Sequence, residues 1–352
     1  MTKKQFYFFL FLIFLIISVF LLIVFFEVQE SRPANTLNLG QSGEELSFGD
    51  LNPKIYFCPE NNCKQEIINL INNSKQTIDC AVYDITSKEI STALINKKLE
   101  EVNIRIVTDL GRSSTKTSQI GSLKFGGVDV LLSPVENSYM HNKFCVFDGN
   151  VVFIGSTNFT DNSFESYNNI LVFNNKELSN LLTYKLDSFY SGQFSKDSSF
   201  FGKDFGALEI YFCPTDDCIK EVQEELDLAT ESIECMMYSF TLTEFADSII
   251  RTKGNGVETK IILENQQITQ YSEYQRLKSE GIDIILDNQK ELLHNKYCVI
   301  DDKTVLTGSM NFSFNGTNNN DEIVVIIHSS EIARNYKENF YSYWNVWKNL
   351  AN

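Results

Sequence analysis

The stretch MHNKFCVFD at residues 140–148 recurs as LHNKYCVID at residues 293–301. Each copy holds one histidine, although the whole chain has only three. Side chains alternate along a strand, so the pattern His-x-Lys places both basic side chains on one face. In both copies a second short strand follows and leads to GSTNF at residues 155–159 or GSMNF at residues 308–312. The sequence therefore predicts that one constellation of polar residues is built twice.

The repetition extends far beyond these motifs. KIYFCPENNCKQEI, which begins at Lys54, returns as EIYFCPTDDCIKEV, which begins at Glu209. The offset between the copies is 155 residues here and 153 residues at the histidines, which indicates one duplicated domain rather than a solenoid of short repeats. We predict a first domain over residues 54–195, a linker over residues 196–208 and a second domain over residues 209–352.

Each unit has the pattern of a mixed α/β domain. QTIDCAVYDI at residues 76–85 and NIRIVTD at residues 103–109 are β-branched runs typical of buried strands. Between them, SKEISTALINKKLEE has apolar residues at helical spacing, with Ser87 as the expected N-cap. Strands that alternate with helices predict a largely buried sheet covered by helices. The expected fold class is α/β (mixed α+β), present as two duplicated domains.

The N-terminus has the composition of a membrane anchor. Residues 5–26 contain no charge, and as a helix they would be about 33 Å long, enough to cross the hydrocarbon core. The run ends in aromatic residues rather than in the small residues of a cleavage site, which favours an uncleaved anchor over residues 1–30 rather than a signal peptide. Residues 31–53 are polar and would act as a tether. Lys3 and Lys4 place the N-terminus in the cytoplasm and the folded body outside, by the positive-inside rule.

The overall charge restricts the function. Acidic residues outnumber basic ones by 46 to 30, which gives a net charge of −16. Such a chain repels phosphate at long range, so a protein that coats nucleic acid non-specifically is disfavoured. With 43% apolar residues the chain has enough hydrophobic material for well-packed cores, which excludes global disorder.

The duplicated polar residues suit phosphodiester chemistry. Two histidines allow one to attack phosphorus while the other protonates the leaving alcohol. Lys143 and Lys296 would hold the non-bridging oxygens, where negative charge sits in the transition state. Four further residues are candidates to bind the same phosphate: Ser156, Asn158, Ser309 and Asn311. An isolated histidine is usually structural, and His328 is interpreted so because the first half has no counterpart, but the paired set favours a site.

The pattern H-x-K-x4-D followed by G-S-x-N resembles the signature of the phospholipase D superfamily, and both copies match it. IRIVTD, MHNKF and GSTNFT resemble the branch of small bacterial endonucleases and the mitochondrial cardiolipin-hydrolase (Zucchini) type. This resemblance implies a mixed sheet between helices in each half, a pseudo-twofold axis through the site, a covalent phosphohistidine, and no metal or cofactor. Those relatives complete the site by dimerising, whereas here a monomer should suffice. The motif residues are His141, Lys143, Asp148, His294, Lys296 and Asp301, of which the two aspartates are expected to hold the shape of the site.

The resemblance also suggests roles for the histidines. In the small nucleases a carboxylate shortly before the last strand orients the catalytic histidine. The second half has Asp321 and Glu322 there, whereas the first half has amides that begin at Asn168. A carboxylate raises the pKa of a nearby histidine, which suits a general acid. We therefore predict that His141 is the nucleophile and that His294, in the half with the carboxylates, is the acid.

The eight cysteines fall into two groups. Four of them form two C-P-x3-C motifs, which we expect to close as disulfides outside the cell: Cys58, Cys63, Cys213 and Cys218. Free thiols in a reducing compartment are the alternative, and a metal site is the third, because each half offers only two of the four ligands that zinc usually takes. The other four are expected to be reduced thiols packed in the core: Cys80, Cys145, Cys235 and Cys298.

The nature of the substrate stays open at the level of sequence. A membrane anchor and an acidic chain favour a phospholipid, so a membrane-anchored phosphodiesterase of the phospholipase D type is the leading hypothesis. A metal-independent nuclease that acts on DNA or RNA is the alternative, because the resemblance is to nuclease-type relatives. A membrane-tethered binding protein with an inert site is a third hypothesis, and the intact His and Lys pairs in both halves disfavour it.

Overall fold

The computed structural model describes residues 52–134, 138–287 and 289–350. The predicted anchor over residues 1–30 lies outside the described residues, as does nearly all of the predicted tether. Among the helices that are described, none is both long and apolar enough to cross a membrane.

The first half forms one seven-stranded mixed sheet with the strand order β1-β7-β6-β5-β2-β3-β4. Its elements in chain order are β1 (Lys54–Cys58), α1 (Cys63–Asn73), β2 (Thr77–Val82), α2 (Lys88–Leu99), β3 (Asn103–Thr108), α3 (Leu110–Ser113), α4 (Ile120–Phe125), β4 (Asp129–Leu132), β5 (Lys143–Phe147), β6 (Val151–Gly155), α5 (Asp161–Glu165), β7 (Asn168–Asn174) and α6 (Lys176–Tyr190). Strands β2, β3 and β4 are parallel and the remaining pairs are antiparallel.

The second half repeats this arrangement in an eight-stranded sheet with the order β12-β11-β10-β13-β14-β15-β9-β8. Its elements are β8 (Lys203–Asp204), β9 (Leu208–Cys213), α7 (Cys218–Asp227), β10 (Ser232–Met237), α8 (Thr243–Gly254), β11 (Glu258–Glu264), α9 (Tyr274–Ser279), β12 (Asp283–Asp287), β13 (Lys296–Ile300), β14 (Thr304–Gly308), α10 (Phe314–Asn318), β15 (Glu322–His328) and α11 (Ser330–Leu350). The short strand β8 is the additional strand and has no counterpart in the sheet of the first half. The prediction of two mixed α/β repeats is confirmed.

Three apolar clusters hold the molecule together. Each half has an outer cluster between its sheet and its flanking helices, and a central cluster combines buried side chains of both halves. Helix α11 contributes aromatic residues at helical spacing to this central cluster, among them Tyr336, Phe340 and Trp344. Because the halves share this core, they form one compact unit rather than two separate bodies.

Ser87 lies at the N-terminal end of α2, as predicted, but makes a different contact from the one expected of an N-cap. The helix begins at Lys88 with Ser87 in the N-cap position, as predicted. The Ser87 hydroxyl, however, donates to Asp161 at 2.9 Å and accepts no hydrogen bond from the first turn of the helix. Ser87 therefore connects α2 to the first residue of α5.

The two predicted disulfides of the C-P-x3-C motifs are present. Cys58 is bonded to Cys63, and Cys213 to Cys218, each across a separation of five residues. Each ring connects the end of a strand to the first residue of the following helix, so it fixes the turn between β1 and α1 and the turn between β9 and α7.

The prediction that the strand cysteines are reduced thiols was wrong. Cys80 is bonded to Cys145, and Cys235 to Cys298, with no free cysteine among the described residues. The members of each pair lie directly opposite one another on adjacent antiparallel strands, with Cα atoms 4.1 Å apart. Burial was predicted correctly, but the register that brings two buried thiols together depends on strand pairing across more than 60 residues.

Candidate active site

The two histidines lie where the two sheets meet. His141 lies two residues before the first residue of β5, and His294 lies two residues before the first residue of β13. Because β5 and β13 run antiparallel to β2 and β10, both histidines lie beside the carboxyl ends of those central strands. The loops between strands and helices converge on this edge of each sheet, which leaves the polar residues of both halves facing one another.

The backbone of each histidine is held by the opposite half. His141 donates its N–H to the carbonyl oxygen of Asp321 at 2.9 Å. In the mirrored contact His294 donates its N–H to the carbonyl oxygen of Tyr167 at 2.9 Å. Asp321 and Tyr167 occupy equivalent positions, each directly before the last strand of its half. The pseudo-twofold relation between the halves is thus built into the backbone at the site.

Each imidazole ring also contacts a side chain of the opposite half. Nδ1 of His141 lies 2.8 Å from both carboxyl oxygens of Glu322, whereas Nδ1 of His294 lies 2.9 Å from the amide oxygen of Asn168. Our sequence-based argument placed the carboxylate beside the histidine of its own half, and that premise was wrong. The last strand of each half begins at the interface, so its first side chain reaches the histidine of the other half.

Asp321, which directly precedes Glu322, makes different contacts. Asp321 points away from the imidazole rings, and its carboxylate accepts hydrogen bonds from the N–H and the hydroxyl group of Ser195 at 2.8 and 3.2 Å. Side chains alternate along an extended chain, so Asp321 and Glu322 project to opposite sides. Of the two predicted orienting residues, Glu322 contacts a histidine ring and Asp321 acts through its backbone.

Burial dominates the electrostatics of the histidine pair. Burial raises the pKa of Glu322 to about 8 and, together with Lys143 and Lys296, lowers the pKa of His141 well below its usual value. Both shifts favour the uncharged forms. The pKa of His294 is also lowered by burial and then by the two lysines. Burial and the neighbouring lysines therefore favour the neutral imidazole at both positions.

The two lysines are buried in the same manner in both halves. Nζ of Lys143 donates to the carbonyl oxygen of His141 at 2.7 Å, and Nζ of Lys296 donates to that of His294 at 2.7 Å. Burial lowers the pKa of Lys143 to about 7 and also lowers that of Lys296. A phosphate anion between them would restore the charged forms, so the pair is suited to bind an anion.

Two tyrosines complete the walls of the site, and the sequence analysis did not select them. The ring of Tyr83 packs edge-on against His141 at 4.8 Å, and that of Tyr238 packs in the same way against His294 at 4.8 Å. Nζ of Lys143 lies 5.5 Å from the centre of the Tyr83 ring. The two tyrosines are 155 residues apart, so the offset of the duplication could have identified them.

A second pair of residues was also missed. A carboxyl oxygen of Asp109 accepts the N–H of Met140 at 3.2 Å, and one of Glu264 accepts the N–H of Leu293 at 2.8 Å. Asp109 directly follows β3 and Glu264 is the last residue of β11, and the two acids are again 155 residues apart. Each acid fixes the residue that precedes a histidine and so sets the direction in which that histidine leaves the loop.

The predicted phosphate-binding residues divide into two kinds. The hydroxyl of Ser156 donates to the amide oxygen of Asn168 at 2.8 Å, and that of Ser309 donates to Glu322, so both serines position the partners of the histidines. The amide oxygens of Asn158 and Asn311 are buried, and neither meets a donor within the described part of the chain. Since an amide oxygen accepts hydrogen bonds, as a phosphate oxygen does, only the side-chain N–H₂ groups of these two asparagines are candidates to donate to a phosphate.

The two motif aspartates lie at the far end of their strands. Seven residues separate each of them from its histidine, about 20 Å along an extended chain. Asp148 accepts backbone N–H groups of residues 75–77, and Asp301 accepts those of residues 230–232, at 2.7–3.0 Å. Burial alone would raise the pKa of each carboxyl group. The Thr230 hydroxyl and the N–H groups outweigh burial at Asp301, and the N–H groups outweigh it at Asp148, so the pKa of both is lowered. The structure keeps them apart from the histidines and lysines.

One group among the described residues has the spacing of metal ligands. Glu209, Glu225 and His328 offer ligand atoms that all lie within 4.8 Å of one another. His328 is the last residue of β15, as expected for a strand-end residue, and its Nε2 lies 2.8 Å from Glu209. Since β15 begins at the site and ends at His328, this group lies at the opposite edge of the sheet.

The family model described as "Cardiolipin synthase, PLD-like domain" matches this chain twice, over residues 67–190 and 222–344. The chain belongs to this phospholipase D-like family. Each match covers one of the two halves and includes one His-x-Lys motif, in agreement with the duplicated site.

Two curated relatives each match somewhat more than a third of this chain. The phospholipase D of Rickettsia typhi is 32% identical over 132 residues, which are 37% of this chain and 65% of that protein. The mitochondrial cardiolipin hydrolase of Xenopus tropicalis is 27% identical over 136 residues, which are 38% of this chain and 65% of that protein. The chain thus spans just under two thirds of the length of these relatives.

A solved structure with a similar fold extends over both halves. The phosphatidylserine synthase of Haemophilus influenzae matches with a TM-score of 0.63, and the alignment covers 82% of this chain and 86% of that one. At 13% identity the likeness concerns the fold alone. It shows that the fold of both halves together recurs in another solved structure.

Proposed function

We propose that this protein is a membrane-anchored phosphodiesterase that hydrolyses phospholipids at one composite site, through a covalent phosphohistidine. The observation that carries the proposal is the crossed pair of contacts in which Glu322 binds Nδ1 of His141 and Asn168 binds Nδ1 of His294. In both rings Nδ1 is engaged, so Nε2 is the nitrogen that remains for chemistry. Two such nitrogens between two lysines can act on one phosphate.

In this mechanism His141 remains the nucleophile, for a reason other than the sequence-based one. When the pair with Glu322 loses a proton, Nδ1–H donates to the carboxylate and Nε2 presents its lone pair. Attack on phosphorus forms the N–P bond and leaves a positive charge on the ring, which the carboxylate stabilises. The bond to the leaving alcohol breaks as Nε2–H of His294 transfers its proton to that oxygen.

The second step reverses the role of His294. Its Nε2, now unprotonated, takes a proton from water as the water oxygen attacks phosphorus and the bond to His141 breaks. His294 has a neutral amide partner, and its pKa is lowered by burial and by the lysines, so it holds a proton only while an anionic phosphate offsets the lysines. The general acid is therefore charged when substrate is bound.

Phospholipid is the favoured substrate class on three grounds. The sequence predicts a membrane anchor over residues 5–26, the net charge of −16 disfavours polyanionic strands, and the curated relatives are named phospholipase D and cardiolipin hydrolase. The domain boundaries that we propose for this enzyme are residues 54–195 and 209–352, joined by a linker over residues 196–208.

The test is an assay of the full-length chain in detergent with labelled phosphatidylglycerol and with a labelled single-stranded oligonucleotide. We expect hydrolysis of the lipid, an unchanged rate in excess EDTA, and phosphate trapped on His141 after rapid quenching. Cleavage of the oligonucleotide alone would make the protein a nuclease. Label on His294 would exchange the roles of the two histidines, and loss of activity in EDTA that a divalent ion restores would contradict the metal-free mechanism.

A further inference from the structure

The loop that follows β3 differs in charge from the rest of the molecule. Residues 110–119, with the sequence LGRSSTKTSQ, contain two basic residues and no acidic one, in a chain with a net charge of −16. The equivalent loop of the second half, NQQITQYSE at residues 265–273, contains no basic residue. The two loops follow the carboxyl ends of β3 and β11, at the edge where the histidines lie. Of these two loops, only the one after β3 carries positive charge.

The loop has a fixed conformation that presents these cations. Three consecutive hydroxyl groups each donate to the carbonyl oxygen three residues earlier, at 2.7–3.4 Å: Ser113 to Leu110, Ser114 to Gly111 and Thr115 to Arg112. The backbone N–H of Gln119 donates to the carbonyl oxygen of Ile85 at 2.9 Å, which ties the end of the loop to the segment after β2. The loop is therefore ordered by its own side chains.

Asp84 holds the guanidinium group of Arg112 but does not use all of its N–H donors. Its Nε and Nη2 both donate to the same oxygen of Asp84, at 3.1 and 2.7 Å, instead of forming a fork with both oxygens. Nη1 makes no hydrogen bond with any residue that the structure describes, and the side chain is 41% exposed. Lys116 is exposed and has no ion-pair partner within the described residues. The loop therefore offers two cationic groups to an external anion.

Arg112 lies beside the catalytic centre on the side of His141. Its Cζ is 5.5 Å from the centre of the Tyr83 ring, which is itself 4.8 Å from the ring of His141. In the second half the equivalent residue is Gln267, whose amide donates to Tyr238 at 3.0 Å and carries no charge. The asymmetry between the rims is thus an arginine against a glutamine at the same position.

Apolar groups accompany the cations on this rim. Leu110 is 37% exposed and Tyr139 is 51% exposed, although both directly neighbour buried residues of the site. The loop after β11 also exposes an aromatic ring, Tyr271, but contains no basic residue, and the exposed cation on that side is Lys290, in the segment before His294. An exposed aromatic ring beside lysine or arginine suits the interface of an anionic bilayer, where the ring lies at the level of the headgroups and the cations meet their phosphates.

We propose that the rim formed by Leu110, Arg112, Lys116 and Tyr139 docks onto an anionic lipid surface and so orients the site toward the membrane. This inference rests on the proposed function and deepens it. In the mechanism above, the leaving headgroup departs toward His294, while the acylglycerol stays attached to the phosphorus on His141. The rim beside His141 therefore meets the bilayer that keeps the acyl chains, and the rim beside His294 faces the released headgroup.

The kinetic test uses the full-length chain in detergent and compares two forms of substrate. One is a short-chain phosphatidylglycerol below its micellar concentration, and the other is long-chain phosphatidylglycerol in vesicles. In Arg112→Gln/Lys116→Gln the rate on vesicles relative to the rate on monomers should fall about tenfold, because each basic residue near an anionic surface contributes to binding. The fall should shrink at high salt. The control is Arg251→Gln/Lys253→Gln on α8, with the same change of charge, and its ratio should equal that of the wild type.

A second measurement does not depend on turnover. Amine acylation followed by mass spectrometry should show Lys116 protected by phosphatidylglycerol vesicles but not by phosphatidylcholine vesicles, while Lys124, which is exposed on α4, stays reactive.

Because Arg112→Gln leaves the buried Asp84 unpaired, Lys116→Gln alone is the variant to use if the double variant unfolds. Equal ratios in the rim and control variants, or no protection of Lys116, would overturn the docking proposal. Protection of Lys116 by an oligonucleotide instead of vesicles would overturn it as well. If the wild type hydrolyses neither lipid form, the proposed function fails, and the labelling still decides the docking.

Discussion

The two halves of this protein hold equivalent histidines with different partners. His141 faces a carboxyl group, Glu322, whereas His294 faces an amide, Asn168. The lysines, the tyrosines and the backbone contacts of the two histidines are alike on both sides. A difference at one pair of equivalent positions thus gives two identical side chains distinct partners, and the proposed division of roles between a nucleophile and a proton donor rests on it.

The asparagine between each histidine and its lysine shows a second difference. The amide oxygen of Asn295 accepts a hydrogen bond from Asn169 at 2.9 Å, and Asn169 is bonded in turn to Thr307 and Tyr336. Neither amide atom of Asn142 has a partner among the described residues. The second half has the apolar Ile323 at the position of Asn169, so the duplicated amide lost its partner on one side. The interface is thus stiffened by a polar network on the side of His294 only.

The largest expected effect comes from removing either histidine. His141→Ala and His294→Ala should each reduce kcat on phospholipid by about 10⁴-fold, because neither role can be filled by the other ring. A nitrophenyl phosphodiester, whose leaving group needs no proton, should restore most of the rate of His294→Ala and none of that of His141→Ala. Recovery of His141→Ala instead would reverse the assignment, and near-normal activity of either variant would contradict the composite site.

The cross-strand disulfides should have the next largest effect. Their sequence separations are 65 and 63 residues, so Cys80→Ala/Cys145→Ala and the equivalent pair in the second half should each lower the free energy of unfolding by about 4 kcal/mol. The short ring between Cys58 and Cys63 is the control, and its removal should cost about 2 kcal/mol. Denaturant unfolding of the unreduced protein measures all three. Equal losses for the long and the short rings would contradict the loop-entropy argument.

Exchange of the histidine partners should have a smaller effect on the rate. Glu322→Gln should lower kcat by about 100-fold, because an amide cannot neutralise the charge that His141 gains on attack. Asn168→Asp should raise the pKa of His294 and move the alkaline limb of the pH–rate profile to higher pH, since the acid then keeps its proton longer. Full pH–rate profiles of both variants provide the measurement. A greater loss in Asn168→Asp than in Glu322→Gln would mean that the carboxyl group serves the acid rather than the nucleophile.

The smallest expected effect concerns the binding of anions. Burial lowers the pKa of Lys143 to about 7, so its charge is present below that pH and is lost above it. The inhibition constant of sulfate, which stays a dianion throughout, should rise by up to about tenfold per pH unit between pH 7 and 9. Lys143→Arg should weaken this dependence, because arginine keeps its charge at these pH values. A constant affinity for sulfate across this range in the wild type would show that the lysine stays charged without a ligand.

Much of the fold and of the candidate site followed from the sequence. The offset of 153 residues identified the histidines, the lysines and the Gly-Ser-x-Asn segments, and the alternation of strands and helices predicted the two mixed sheets. The partners of the histidines could not be predicted, because they depend on how two folded halves dock. The pairing of Cys80 with Cys145 could not be predicted either, because a one-residue change in the register of the strands would have separated them.

The crossed contacts also determine when the site can exist at all. Glu322 follows His141 by 181 residues, so a chain under synthesis has a complete first half long before His141 has its partner. The contacts that hold both histidines form only when the last strand of each half has docked against the other half. The constellation of polar residues is therefore a property of the assembled pair of halves, and neither half carries it alone.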